Sequence, residues 1–290
     1  MRLLICSDGS DKTDQLARLG GLVAGSPKAA VTLLGIAEDP QGEEQLRAAL
    51  RAEAGLLRDF EIAPEVIVRT GEPIDEILQQ TNAEAYDLVV IGARIKRRSG
   101  QYWRSQRTYE LIKSIPTAVL VVSGQCERLS KFLVCTGGKR HIEAAVELIG
   151  QIAANTESAV TLLHVMAKPP GIFVDLVRRA EDVETLLTAG SELGENLREQ
   201  KERLEKLGVA VEVRVRHGFV LDQIFAEQRE GEYDMLVTGS SRARGALGHY
   251  IMGDLTREIV NRAECPVLVV RTGEAKSGGV WTALKRIFAS

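Results

Sequence analysis

The chain has 290 residues, of which 44% are hydrophobic and 27% are charged, and its formal net charge at pH 7 is −3. These proportions are typical of a globular protein, and a slightly acidic chain argues against nucleic acid as the main partner. No apolar run is long enough to span a membrane, and the run at residues 3–6 is too short for a signal peptide, so we expect a cytoplasmic protein.

The cysteines and histidines give no indication of a metal or disulfide site. The four cysteines lack both C-x-x-C spacing and the density of a secreted scaffold, so we expect reduced, mostly buried thiols. The four histidines stand far apart, and no Cys or carboxylate lies at metal-ligand spacing from them. A metal site is therefore not predicted.

Two stretches of sequence occur twice, which indicates a duplicated domain. The segment EVIVRTG at residues 65–71 returns as EVRVRHG at 212–218, and AVTLL at 30–34 returns unchanged at 159–163. The offset between the copies is 129 residues in the early part, 147 in the middle and 148 at the last apolar run. The second copy therefore has 147 − 129 = 18 extra residues between its second and third strands, and one more after Gly239.

Short β-branched runs alternate with segments of helical periodicity along each copy. In the first copy the runs that predict strands are 2–6, 30–36, 65–69, 87–92 and 118–122. Each copy is therefore predicted to be β-α-β-α-β-α-β-α-β, an α/β fold in which right-handed crossovers build a five-stranded parallel sheet covered on both faces. The extra residues of the second copy are predicted to extend one helix over about 182–207, ending before Gly208.

The predicted organisation is a first domain at residues 1–125, a second at 131–272 and a tail at 273–290. The tail begins with a linker rich in glycine, and its apolar residues then recur at helical spacing, which predicts a short amphipathic helix: Trp281, Leu284, Ile287 and Phe288. Three alternatives stay open for this tail. It docks on its own or a sister chain, it binds a membrane surface or a partner, or it is disordered.

Four segments carry a resemblance to a known family: LICSDGS at 4–10, YDLVVIG at 86–92, YDMLVTG at 233–239 and NRAECPVLVVR at 261–271. In this order and spacing the chain resembles a tandem member of the universal stress protein family, over about residues 1–123 and 131–271. The resemblance implies two Rossmann-like domains of the adenine nucleotide alpha hydrolase type. It also implies that the final strands, at 119–122 and 267–270, pair edge to edge in an intramolecular pseudo-dimer, and a homodimer of whole chains is a further expectation.

In open parallel sheets, ligands bind beyond the carboxyl ends of the strands, where the strand order reverses. The loops after Cys6 and Gly92, and after Cys135 and Gly239, are therefore the candidate sites. Nucleotide-binding members of the family carry G-x-x-G-x9-G-[ST] after the fourth strand, because glycines let backbone N–H groups approach phosphates.

The first copy keeps only the nucleoside end of this pattern. Asp8, Gly9 and Ser10 retain the opening motif and Gly92 begins the loop, but the later glycines fall on Ile95 and Ser105. Six cations lie there without an intervening acid: Arg94, Lys96, Arg97, Arg98, Arg104 and Arg107. We interpret this stretch as a solvated basic loop, with an anion or nucleotide site and a surface for an acidic or nucleic-acid partner as the alternatives.

The second copy departs from the pattern in the opposite places. Gly137 replaces the nucleoside aspartate, and Gly239 and Gly253 belong to a glycine-rich loop that has Asp254 where Ser or Thr should stand. A carboxylate 4 Å from a phosphate costs about 4 kcal/mol at an effective dielectric of 20, whereas a lost neutral hydrogen bond costs about 1 kcal/mol. We expect Asp254 to be the N-cap of the following helix.

The cofactor-binding candidates are therefore Asp8, Gly9, Ser10, Gly92 and Arg94 in the first copy and Gly239 and Gly253 in the second, with ATP and Mg as the implied ligand. No catalytic residue is predicted. The favoured function is a non-enzymatic stress-response protein that acts through domain pairing and an unidentified protein partner. The alternatives are an ATP-binding or slowly ATP-hydrolysing stress sensor and, less favoured, an enzyme of the related ATP pyrophosphatase group, because no P-loop or nucleophile motif is present.

Overall fold

The computed structural model describes residues 1–10, 14–26, 28–92, 95–98, 101–104, 106–123, 126, 128–137, 143–167, 183–188, 190–242, 250–251 and 254–272. The first copy runs through β1 (Arg2–Ser7), α1 (Asp14–Ala24), β2 (Ala30–Ala37), a 3-10 turn (Pro40–Gly42), α2 (Glu43–Arg58), β3 (Glu65–Thr70), α3 (Pro73–Ala83), β4 (Leu88–Gly92), β5 (Ile95–Arg98), β6 (Gln101–Arg104), α4 (Gln106–Ser114) and β7 (Ala118–Val122). The second copy runs through β8 (Lys131–Cys135), α5 (Glu143–Asn155), β9 (Ala159–Met166), α6 (Val183–Thr188), α7 (Glu192–Lys206), β10 (Val211–His217), α8 (Val220–Gly231), β11 (Met235–Arg242), β12 (Tyr250–Ile251), α9 (Asp254–Arg262) and β13 (Val267–Thr272).

One continuous sheet runs through both copies. Its strand order is β10-β9-β8-β11-β13-β7-β4-β1-β2-β3, with β12 added to β11. Within each copy the five main strands are parallel and follow the order 3-2-1-4-5 in their own numbering. The predicted α/β fold with two five-stranded parallel sheets is therefore confirmed.

The two copies meet at their final strands. β7 and β13 pair antiparallel, with Val119 opposite Val269, Leu120 opposite Leu268 and Val121 opposite Val267. Because the copies are offset by 148 residues here, Leu120 lies opposite its own counterpart, so an approximate two-fold axis passes beside that pair. The expected pairing of the final strands is confirmed, and it places the carboxyl ends of the two copies' strands at opposite edges of the sheet.

Polar contacts at the ends of these strands repeat around the same axis. The Ser123 hydroxyl donates to the carbonyl of Cys265 at 2.9 Å, and Arg271 Nε donates to the carbonyl of Thr117 at 2.8 Å. With the offset of 148, Ser123 corresponds to Arg271 and Thr117 to Cys265. The two contacts are therefore the same contact made twice, as an isologous interface requires.

Both faces of the sheet are covered, and each covering layer contains helices of both copies. One core is formed under α1, α2, α5 and α7, and the other under α3, α4, α8 and α9. Leu120 and Leu268 lie together in the first core, whereas Val119 and Val269 lie in the second. The copies therefore share both hydrophobic cores.

The aspartate of the repeated Tyr-Asp motif fastens the first strand of each copy to the fourth. Asp87 accepts a hydrogen bond from the backbone N–H of Arg2 at 2.7 Å. Asp234 accepts from the backbone N–H groups of Ser130 and Lys131 at 2.7 and 3.0 Å. Because an unpaired strand-end N–H is costly, this local chemistry explains the aspartate at both positions.

The extra residues of the second copy do not extend one helix, so the prediction for 182–207 is wrong. The structure has two helices there, α6 and α7, because Gly190 takes a left-handed conformation (φ +65°) and Ser191 caps α7 by accepting from the N–H of Gly194 at 3.1 Å. The core residues Leu197 and Leu204 of α7 correspond to Leu50 and Leu57 of α2 at an offset of 147. The extra residues therefore precede the helix.

The basic stretch after Gly92 was expected to be a loop, and in its described part that expectation is also wrong. β5 and β6 form an antiparallel hairpin in which Ile95 pairs with Arg104 and Arg98 with Gln101. β6 lies against α9 of the other copy, and β12 likewise lies against α4. The region after the fourth strand of each copy thus contacts the last helix of the other copy.

Several expectations fall on residues that the structure leaves undescribed. The tail at 273–290 lies outside the described residues, as do Gly253 and Arg94. Within the described part of the chain, no helix is both long enough and apolar enough to cross a membrane.

Candidate functional site

The turn after β1 places the opening motif at the carboxyl edge of the first copy. Gly9 has a φ of +69°, which favours glycine, and its N–H donates to the Ser7 hydroxyl at 3.0 Å. The N–H of Ser10 donates to Asp8 Oδ1 at 3.1 Å. Asp8 is exposed beyond the end of β1.

One side of this turn is filled by α2. A Cβ at Gly9 would lie 2.9 Å from Leu46 Cδ1 and 3.1 Å from Ala49 Cβ, and a Cβ at Gly35 would lie 2.5 Å from Leu50 Cδ1. Contacts this close leave no room for a ligand between the turn and the helix. Any molecule beside Asp8 must therefore approach from another side.

The side of the turn that faces β4 ends in a glycine. Gly92 is exposed at the end of β4, and within the described residues the nearest atom to a Cβ there would be Leu16 Cδ1 at 3.4 Å. β4 pairs with β1, with Cys6 opposite Ile91, so Asp8 and Gly92 follow neighbouring strand ends. This is the point where the strand order reverses, and the structure brings Asp8, Gly9, Ser10 and Gly92 together there.

The basic residues of the first copy follow directly along the chain. The hairpin of β5 and β6 begins three residues after Gly92, and its backbone carries four of the six cations: Lys96, Arg97, Arg98 and Arg104. Arg107 belongs to α4. Ile95, where the family pattern has its second glycine, lies within a β-strand rather than in a turn.

A buried polar pair supports the turn from below, which the sequence reasoning missed. The Ser7 hydroxyl donates to Glu53 Oε1 at 2.6 Å, and Glu53 is 2% exposed. The sequence did indicate this pair, because Glu53 lies on the apolar face of α2 together with Leu50 and Leu57. A carboxylate at such a position indicates a specific polar partner, here the residue before Asp8.

The corresponding turn of the second copy has Gly137 in the place of Asp8. Gly137 is exposed after β8, with no atom within 4 Å of a Cβ placed there. His164 takes the place of Gly35, and its Nδ1 lies 3.0 Å from the carbonyl oxygen of Thr136. The second copy therefore offers a different polar surface at the place where a nucleoside would lie in the family.

The backbone does not turn at Gly239 as a phosphate-binding nest requires. β11 continues to Arg242, with Ser240 opposite Arg271 of β13 and Ser241 opposite Ile251 of β12. The carbonyl of Gly239 accepts from the Thr256 hydroxyl at 2.8 Å. Because these backbone groups belong to the sheet, the described part of this copy does not fit a glycine nest.

Asp254 is the first residue of α9 and is exposed. The expected N-cap is thus displaced by one residue, and the carboxylate lies in the first helical turn, where the helix dipole stabilises a negative charge. Among the described residues, no three His, Cys, Asp or Glu side chains gather closely enough to hold a metal ion.

The four cysteines are free thiols of low reactivity. Burial raises the pKa of Cys6, Cys135 and Cys265 to about 12 and that of Cys126 to about 11. A thiol with so high a pKa carries almost no thiolate at neutral pH. None of the four is therefore suited to act as a nucleophile.

Comparison with known proteins gives both family and fold. The profile of the universal stress protein family matches residues 1–123 and again residues 129–271. A universal stress protein from Archaeoglobus fulgidus is 18% identical, with 94% of this chain and 98% of that chain covered and a TM-score of 0.67. A protein from Pseudomonas aeruginosa described as a universal stress protein is 15% identical, with 93% of each chain covered and a TM-score of 0.69.

A shorter universal stress protein, solved in complex with cAMP, is 22% identical over 50% of this chain and 99% of its own, with a TM-score of 0.37. No curated protein matches the sequence. At these identities the solved structures establish the fold, whereas the two profile matches cover nearly the whole length. The chain therefore belongs to the universal stress protein family and carries two copies of its domain in tandem.

Proposed function

We propose that this chain is a non-enzymatic, cytoplasmic stress-response protein whose two nucleotide sites are degenerate. One observation supports the proposal: in each copy a glycine position of the family's phosphate-binding turn lies within a β-strand. Ile95 lies within β5, and Gly239 lies inside β11, which continues for three more residues. A strand directs its N–H groups into the sheet, so they do not converge on a phosphate.

Any remaining nucleotide affinity is assigned to the first copy. Asp8 is exposed and is of a residue type that accepts hydrogen bonds from ribose hydroxyls, and Gly92 is exposed at the neighbouring strand end. Arg94 and the cations that follow it supply charge for the phosphates of ATP, with Mg as its counter-ion, but no preorganised nest. Binding through flexible side chains loses conformational entropy, so the affinity is weak.

The second copy is assigned no nucleotide. Gly137 leaves it without the nucleoside carboxylate, and Gly239 is held in the sheet. Gly253 directly precedes Asp254, whose carboxylate would repel a phosphate bound before α9. The protein therefore acts through its paired domains and an unidentified protein partner, and two chains assemble into a homodimer.

The second candidate function is an ATP-binding or slowly ATP-hydrolysing stress sensor. The observation that favours it is that Asp8 and Gly92 are both exposed at neighbouring strand ends, where the strand order reverses. The two candidate functions predict different affinities for MgATP, and they differ in which copy binds it.

Titration calorimetry with MgATP separates them. We expect a dissociation constant weaker than about 100 µM for the wild type, further weakened by Asp8→Ala and by Arg94→Ala. Asp59→Ala, which removes an exposed carboxylate at the end of α2, is the matched control and should change nothing. Asp254→Ser should gain binding if that carboxylate blocks the second copy. Tight wild-type binding that is insensitive to Asp8→Ala but lost in Gly239→Leu would overturn the proposal.

A further inference from the structure

Three exposed apolar side chains lie where two helices of the second copy begin. Phe219, directly before α8, is 83% exposed, Val220 is 40% exposed, and Leu255 in the first turn of α9 is 38% exposed. α8 and α9 contact each other and lie on the same face of the sheet. We call Phe219, Val220 and Leu255 the apolar edge patch.

The first copy has no such patch, although it has the same fold. At the corresponding offsets its residues are Glu72, Pro73 and Arg107. Glu72 precedes α3 just as Phe219 precedes α8, so the helix forms without an aromatic residue at this position. The fold therefore does not require the patch, and an exposed apolar group specific to one copy indicates a binding surface.

The C-terminal tail starts at the same edge. β13 runs parallel to β10 and β11, so its last residue, Thr272, lies at the carboxyl edge of the second copy, where α8 and α9 begin. The equivalent positions of the first copy lie at the opposite edge, because β7 and β13 are antiparallel. Of the two copies, only the second therefore presents its helix starts at the edge where the tail emerges.

The length of the linker matches the distance to the patch. Four strand spacings separate β13 from β10, which is about 19 Å at about 4.8 Å each. The seven residues 273–279 reach about 23 Å when extended. Residues 280–288 can therefore reach both helix starts without stretching past them.

The charges are complementary as well. Asp222 and Asp254 are exposed in the first turns of α8 and α9, and neither forms an ion pair within the described residues. The tail contributes Lys285 and Arg286, which lie between the apolar residues Leu284 and Ile287. A helix with this pattern presents cations beside its apolar side.

We propose that residues 280–288 dock as an amphipathic helix on the apolar edge patch of their own chain. The apolar side of that helix covers Phe219, Val220 and Leu255, and its cations face Asp222 and Asp254. The inference does not depend on the proposed function, because it holds whether or not either copy binds a nucleotide.

Fluorescence of the full-length protein tests this proposal. The chain has two tryptophans, so Trp103→Phe leaves Trp281 as the only emitter. We expect Trp281 emission to be blue-shifted relative to the free peptide 273–290 and protected from acrylamide. Phe219→Ser in this background should shift the emission to that of the free peptide, and Leu255→Ser should shift it part of the way. Glu72→Ser, the same change at the equivalent position of the first copy, should leave it unchanged.

The remaining outcomes distinguish docking of the tail on its own chain from binding to a sister chain or to a membrane. Loss of the blue shift in 1 M salt would add support for the charge contacts. Emission that already equals that of the free peptide, or that ignores Phe219→Ser, would overturn the proposal. A blue shift that disappears on dilution would assign the tail to a sister chain, and one that appears only with anionic phospholipid vesicles would assign it to a membrane. Both of these results would also overturn docking within the chain.

Discussion

At the scale of single residues, the two copies hold different polar networks at the same buried place. In the first copy Arg69 Nη2 donates to Gln80 Oε1 at 2.6 Å, and the Gln80 amide donates to the Tyr86 hydroxyl at 2.7 Å. In the second copy Glu227 replaces Gln80 and is 0% exposed. Arg214, which replaces Ile67, adds a second guanidinium. A buried carboxylate has thus been introduced together with an additional cation.

The contacts of Glu227 explain why it is ionised. Burial opposes ionisation, but hydrogen bonds from Tyr233 at 2.8 Å and Arg216 at 2.6 Å, and the charges of Arg216 and Arg214, outweigh it and lower the pKa of Glu227. A carboxyl group whose pKa falls on folding stabilises the fold above its unfolded pKa, and this contribution is lost as the pH falls through the folded value.

Glu227→Gln should lower the free energy of unfolding by about 3 kcal/mol at pH 7, because Arg214 and Arg216 lose the buried carboxylate that they share and keep only the exposed carboxylates of Glu212 and Glu230. That value is at the low end for buried pairs, since the Arg214 side chain is 38% exposed. Urea titration should show the difference from wild type constant between pH 6 and 8 and shrinking below about pH 4.

A double variant provides the matched control. Glu227→Gln with Arg214→Ile recreates the first-copy combination of Gln80, Ile67 and Arg69, so it should recover most of the lost stability. If the double variant is as unstable as the single one, the two networks are not equivalent and this explanation is wrong.

At the scale of elements, a side chain of the second copy completes the end of a helix in the first. Arg271 donates to the carbonyls of Ile112, Ile115 and Thr117 at the end of α4, and also to the Ser240 hydroxyl at 2.7 Å. The last carbonyls of a helix have no partner within it, so a cation is well suited to this position.

Arg271→Ala should destabilise the protein by about 2 kcal/mol, because buried carbonyls lose a charged donor. Arg229→Ala, at an exposed residue in the last turn of α8, should change stability by less than about 0.5 kcal/mol. Both values come from urea unfolding of the full chain. Equal effects of the two changes would contradict the role given to Arg271.

Most helices and strands, but not all, were predictable from the sequence. The five parallel strands of each copy followed from periodicity, and the pairing of β7 with β13 followed from the family resemblance. The break between α6 and α7 was predictable from Gly190 and Ser191, because glycine commonly ends a helix and serine commonly caps the next one. The prediction failed because it used only the helical spacing of the leucines. Ser99-Gly100, between β5 and β6, is likewise a dipeptide typical of hairpin turns.

The candidate site was only partly predictable for a physical reason. The rule that ligands bind at strand ends located Asp8 and Gly92 correctly at one edge of the sheet. It could not show that Leu46 and Ala49 fill one side of the turn, because that depends on how α2 is rotated against the sheet. Nor could a count of glycines show that Gly239 is held inside a strand.

At the scale of the whole molecule, the duplicated copies have become complementary at their interface. Tyr109 and Arg257 occupy equivalent positions at the offset of 148, and the Arg257 Cζ lies 5.3 Å from the centre of the Tyr109 ring. A homodimer of second copies would instead place one Arg257 close to another. The interface therefore favours one copy of each kind, by about 0.5–1 kcal/mol for a cation–π contact at an exposed site.

Separately produced halves should show this preference. We expect residues 1–125 and 131–272 to associate with themselves or aggregate when alone, because β7 and β13 become uncovered apolar edges, and to form a one-to-one complex when mixed. Native mass spectrometry of co-expressed halves measures the ratio. Two stable monomers, or second-half homodimers that persist beside the first half, would contradict a shared core with a complementary interface.

We propose that neither copy holds a nucleotide as the family's nucleotide-binding members do. Its most direct test is mass analysis of the small molecules released when the purified full-length protein is denatured. A site weaker than about 100 µM empties during purification, so we expect no nucleotide in an amount comparable to the protein. Recovery of an adenine nucleotide equimolar with the chain would contradict it and identify the protein as a nucleotide-binding sensor.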